Sequence, residues 1–101
     1  MQSVTSQNFN SEVKESTIPV IVDFSATWCG PCRALKPILE GLSDESNDQY
    51  KVVMVDIDAN PDLAAEHSVS AIPTILIFKD GIVSKKFVGV VAKKDLLESV
   101  Q

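Results

Sequence analysis

The chain has 101 residues, enough for one domain, expected to span 1-101. Hydrophobic residues at 45% and charged residues at 23% are ordinary globular proportions, which excludes disorder, collagen-like repeats and a disulfide-stapled miniprotein. Fourteen acids against nine bases give a net charge of −5. The bases are scattered except for Lys85-Lys86 and Lys93-Lys94, so no nucleic-acid or anionic-membrane partner is expected.

No stretch approaches the roughly 20 apolar residues that cross a bilayer. Met1 to Asn10 lacks the basic start, apolar core and cleavage site of a secretory signal, so a cytoplasmic location is expected. In that reducing compartment, two cysteines separated by two residues indicate catalysis or metal binding, not a structural crosslink.

In chain order, Asn8 to Ser16 spaces Phe9 and Val13 four apart, with Ser6 or Asn8 as a cap, and predicts a short amphipathic helix. Val4 is expected to lie in a short edge strand before it. Pro19 to Ser25 is a nearly unbroken apolar run, the pattern of a strand buried on both faces of a parallel sheet. Cys29 to about Asn47 carries Leu35, Ile38, Leu39 and Leu42 at helical spacing, interrupted by Pro37, which should bend the helix. Lys51 to Ile57 reads as a second buried strand, and Asp58-Ala-Asn-Pro61 opens a helix to about His67. Thr74 to Lys79 and Ile82 to Val88 flank Asp80-Gly81, a strong hairpin signal. A last amphipathic helix runs from about Ala92 to Val100. The order predicts an α/β domain whose mixed sheet has helices on both faces.

The chemistry is concentrated in Trp28-Cys29-Gly30-Pro31-Cys32, where a buried strand passes into a helix. A reactive thiol must be a thiolate, and a helix N-terminus favours that charge with free N–H groups and a partial positive charge. Cys29 falls at this terminus. Cys32 lies one turn on and is expected to be covered. Two intervening residues let the sulfurs join without unwinding the helix. Pro31 fits the first turn, where its missing N–H has no partner to lose, and Gly30 is expected to leave the Cys29 sulfur open. Cys29 is therefore the expected attacking thiol and Cys32 the resolving one.

The segment VDFSATWCGPCR, residues 22 to 33, resembles the thioredoxin family around its WCGPC signature. The resemblance covers nearly the whole chain: Pro37 matches the proline of the active-site helix, Ala71-Ile72-Pro73-Thr74 the cis-proline loop, and Gly89 the glycine after the last strand. It implies the thioredoxin fold, a central mixed sheet of about five strands flanked by four helices. It also implies a protein-disulfide reductase, with Cys29 attacking substrate disulfides and Cys32 resolving the mixed disulfide. Thioredoxin reductase would recharge the dithiol from NADPH. No cofactor is expected on this chain, which lacks any phosphate-binding glycine loop. The family likeness also makes Pro73 cis, so that the Ile72 backbone lies beside Cys29 for an extended substrate. Trp28, Ile72, Pro73, Val88 and Gly89 would surround the sulfur as an apolar patch, and the molecule is expected to be a monomer.

Asp23 interrupts the apolar run Val20 to Phe24, and burial there should raise its pKa. The resemblance gives it a proton-transfer role towards Cys32. Many family members place a lysine at the position of Met54, so the rise should be stronger here. Ser25 stands where bacterial members often have tryptophan, which brings FSATWCGPC closer to many eukaryotic members.

Other readings compete. Half a zinc site would need a metal-bridged dimer, because the chain offers two cysteines and one histidine; no metal is expected. An oxidase or isomerase usually carries a histidine inside the motif, which Gly30-Pro31 lacks. A redox-independent binding module using the same fold is the alternative from another class. His67 is expected to be a surface residue without a role.

Overall fold

The computed structural model describes residues 1–101. Its sheet begins with a short strand β1 (Gln2–Ser3), followed by β2 (Val20–Ser25), β3 (Lys51–Asp56), β4 (Thr74–Lys79) and β5 (Ile82–Val88). The spatial order is β1-β3-β2-β4-β5. β3 runs parallel to both β1 and β2, while β4 is antiparallel to β2 and to β5. The three α-helices are α1 (Gly30–Asp44), α2 (Pro61–Glu66) and α3 (Lys93–Ser99). With a π-helical turn at Asn10–Lys14, they supply four helical segments around the mixed five-stranded sheet.

All six residues of β2 are buried, because both faces of this central strand are covered. Alternation divides them. Val20, Val22 and Phe24 join Phe9, Val13, Val53, Leu63 and Phe78 on one face. Ile21 joins Leu35, Leu39, Leu42, Ile75, Ile77 and Leu96 on the other. Asp23 follows the alternation of Ile21 and so faces α1, which is how a carboxyl group comes to lie under the cysteine-bearing helix. Leu35, Leu39 and Leu42 fix α1 on the sheet, each fully buried. Burying such a leucine contributes about 2 kcal/mol. Pro37 lies inside α1. Its ring removes the N–H that would otherwise bond the Arg33 carbonyl.

The β4–β5 connection is the two-residue turn that Asp80-Gly81 signals. Both residues have positive φ, 53° and 79°, which suits the twist of a tight hairpin. A Cβ on Gly81 would meet the Lys14 carbonyl oxygen at 2.7 Å, so the turn also needs glycine for space. β5 is one of the two edge strands, and Lys85 and Lys86 on it discourage further strand pairing.

Two expectations are corrected. The first helix is present, as a π-turn with Glu15 N–H bonded to the Asn10 carbonyl at 2.9 Å, but its expected cap is not. Asn8 does not cap it, because its Oδ1 instead accepts the Thr5 N–H at 2.7 Å in the preceding turn. Phe9 and Val13 are still both buried. His67 is not a free surface residue. Its ring packs against Phe9, Phe24 and Phe78, with centroids 5.1, 5.8 and 5.7 Å away, and Nδ1 lies 2.9 Å from the Leu63 carbonyl.

Candidate active site

Cys29 caps α1 with extended backbone, φ −87° and ψ 116°. Its Sγ accepts the Cys32 N–H at 3.2 Å, occupying one of the donors that the first helical turn leaves free. The same N–H would stabilise a thiolate on Cys29 once the pair is reduced. Cys29 and Cys32 form a disulfide, with their Cα atoms 5.3 Å apart. Pro31 sits in the first turn, and Gly30 has nothing within 4 Å of where a Cβ would stand.

The expected difference in exposure between the sulfurs is not found. Cys29 is 4% exposed and Cys32 5% exposed in this oxidised state. Both pack with Ala26, Ile57 and Ile72. The asymmetry is one of surroundings. Cys29 faces the loop that carries Ile72, whose carbonyl oxygen is 4.0 Å from its Sγ. Cys32 lines a cleft of about 250 Å³, shared with Asp23, Ser25, Met54, Asp56, Arg33 and Lys36.

Asp23 is 3% exposed, and its Oδ1 has no hydrogen-bond partner. Burial pushes its carboxyl up to about 7, with no charged group acting in the other direction. The carboxyl is therefore a buried group and not an exposed strand residue. Met54 is its register partner on β3, and Ile75 on β4. A carboxyl that is partly carboxylate near neutral pH shares the cleft with Cys32. Such a group can take a proton near neutral pH.

The Ile72–Pro73 peptide is cis, and the Pro73 carbonyl accepts the Gly89 N–H at 2.8 Å. This bond ties the proline loop to the end of β5. Gly89 has φ of 92°, a left-handed conformation that glycine adopts readily. Val88 is 61% exposed, so it is a surface group and not core packing. Trp28, 63% exposed, donates from its Nε1 to the Asp58 carboxylate at 2.7 Å. Asp58 was not legible as a site residue. It lies 30 positions from Trp28, in a segment whose local signal is a helix start. Arg33 and Lys36 were missed because nothing in the spacing told which charged residues of α1 border the cleft.

The family profile described as Thioredoxin matches residues 1–101. The chain belongs to the thioredoxin family. It is 45% identical over 98 residues to thioredoxin 1 of Synechococcus elongatus, covering 97% of this chain and 92% of the relative. It is 46% identical to a thioredoxin of Rickettsia typhi, covering 97% and 93%. A bifunctional thioredoxin reductase/thioredoxin of Mycobacterium leprae is 42% identical over 97 residues, covering 96% of this chain and 21% of the relative. As a member of the thioredoxin family the protein is a thiol-disulfide oxidoreductase, a protein-disulfide reductase whose redox centre is the Cys29–Cys32 pair. That centre belongs to the chain itself, and thioredoxins carry no bound cofactor. No group of three metal-ligating side chains exists in the structure, and no helix is long and apolar enough to cross a membrane.

Proposed function

We propose that the 101 residues act as one domain, a monomer in a reducing, cytosol-like compartment, with the following division of labour. The Cys29 thiolate attacks a protein disulfide, forming a mixed disulfide and releasing the first substrate sulfur as a thiol. Cys32 passes its proton to the Asp23 carboxylate and attacks the Cys29 sulfur. The second substrate thiol leaves, and the two electrons of the dithiol have reduced the substrate. Trp28, Gly30, Pro31, Ile72, Pro73, Val88 and Gly89 form the surface on which an extended substrate segment rests, its backbone pairing with that of Ile72. A thioredoxin reductase restores the dithiol with electrons from NADPH.

The observation that carries the reading is the location of the two sulfurs on different surroundings. Cys29 is at the helix cap beside the open proline loop, and Cys32 shares its cleft with the unpartnered Asp23. The reductase fused to the Mycobacterium leprae relative supports the choice of electron donor. Insulin reduction driven by NADPH and a bacterial thioredoxin reductase tests the whole cycle. Turnover by the wild type and none by Cys29→Ser is expected. Turnover with dithiothreitol but none with NADPH and the reductase would remove that partner.

A further inference from the structure

The chain holds four sulfur atoms, those of Cys29, Cys32, Met1 and Met54. In the disulfide state the two cysteine sulfurs are bonded to each other and buried, so neither offers the thiolate on which oxidants act. The thioethers are then the oxidisable sulfurs, and both methionines line the cleft shared by Asp23 and Cys32.

Their settings differ. Met1 packs against the apolar cluster that faces α1. Met54 belongs to none of the apolar clusters and is partly exposed. Strand alternation fixes its direction. Ile21 and Val52 are register partners within the cluster on the α1 side, and Asp23 and Met54 are the partners two residues on. Met54 therefore stands on the α1 face directly beside Asp23, across a strand spacing of about 4.8 Å. The cleft there, about 250 Å³, has room for a peroxide, a molecule little larger than water.

We propose that Met54 is a modification site at which hydrogen peroxide converts the thioether to a sulfoxide, and that the added oxygen slows disulfide resolution by Cys32. The sulfur donates an electron pair to one peroxide oxygen. An S–O bond forms, the O–O bond breaks, and the other oxygen leaves as water with both hydrogens. The sulfur loses two electrons and the peroxide gains them. The sulfoxide oxygen carries partial negative charge and can only accept hydrogen bonds. Beside a carboxyl whose Oδ1 has no partner, it pairs with the protonated form and repels the carboxylate. The proposal rests on Asp23 being the base for Cys32, because the sulfoxide acts by withholding that base. The other groups around Asp23 stay as they are. β2 adds Ser25 and β4 presents Ile75, while Asp56 of β3 and Arg33 and Lys36 of α1 border the cleft. Met1 has its amine 3.7 Å from Glu40. None of these charges changes when Met54 is oxidised.

The test uses disulfide-form protein treated with hydrogen peroxide and then reduced with dithiothreitol. Peptide mass spectrometry should find the added oxygen on Met54 before Met1. By carboxyl NMR, the Asp23 midpoint should lie at least about half a unit above that of untreated protein. Mixed-disulfide resolution, followed by stopped flow, should be about threefold slower below the midpoint. Met54→Leu keeps the volume without the sulfur, and the same treatment should change neither readout. Oxygen added first to Met1, an unmoved midpoint in protein oxidised at Met54, or equal slowing of treated Met54→Leu would overturn the proposal. Asp23→Asn separates the two levels of the argument. If it resolves with the wild-type profile, the base assignment fails and this proposal with it. If it is impaired while the Met54 sulfoxide protein resolves normally, only the role of Met54 fails.

Discussion

Asp23 and Met54 are register partners on the parallel strands β2 and β3, and both line the cleft that reaches Cys32. The neighbour of the buried carboxyl is thus a thioether that offers no charge. Burial alone sets the acidity of Asp23 at about 7. Met54→Lys would add a cation across this pair. The Asp23 midpoint should fall by about 1 unit or more, the usual effect of an adjacent opposite charge. Carboxyl NMR of the variant checks this, and the limb of the resolution profile should move to lower pH with it.

The raised pKa also makes stability depend on pH. The folded value, about 7, lies above the ordinary 3.8, so the unfolded chain loses the proton first as pH rises. Stability from this group is full below pH 4, is lost progressively, and is gone above pH 7. The difference corresponds to about 4 kcal/mol. Asp23→Asn should remove this dependence, so that the variant gains on the wild type as pH rises from 4 to 8. Urea unfolding at a series of pH values checks it.

The Trp28–Asp58 bond predicts a recognition defect without a redox defect. Asp58→Ala frees the indole and costs about 1 kcal/mol of positioning, so KM for a protein substrate should rise about fivefold at unchanged kcat. Trp28 is the single tryptophan, so its fluorescence reports the loss directly.

Gly81→Ala should destabilise the fold by about 2 kcal/mol, since an L-residue at φ 79° is strained and its Cβ meets the Lys14 backbone. The site is at the opposite end of β5 from Gly89, so the folded variant should keep its reductase activity. A lowered Tm with normal insulin reduction is the expected pair of results.

Much of this was legible in the chain. The strands Thr74–Lys79 and Ile82–Val88 fall where the Asp80-Gly81 signal puts them, because a two-residue turn fixes both neighbours. The Cys29 cap follows from a motif placed where strand meets helix. Asp23 was legible because a carboxyl in an unbroken apolar run has few other places to go. What failed depended on contacts distant in the sequence. Asn8 does not cap the π-turn at Asn10–Lys14 because its Oδ1 accepts the Thr5 N–H, a contact that periodicity does not register. His67 lies in a ring cluster formed by Phe9, Phe24 and Phe78, three residues from separate segments. The equal burial of the two sulfurs comes from Ile57 and Ile72 closing over the disulfide, and no local pattern announces that.

The central claim is that Cys29 attacks and Cys32 resolves, and covalent trapping tests it most directly. Cys32→Ser and Cys29→Ser proteins would each be mixed with a disulfide-bearing substrate and run on non-reducing gels. The account predicts a stable mixed disulfide through Cys29 in the Cys32→Ser variant and little or none in Cys29→Ser. Equal trapping by the two variants, or trapping through Cys32 alone, would contradict it.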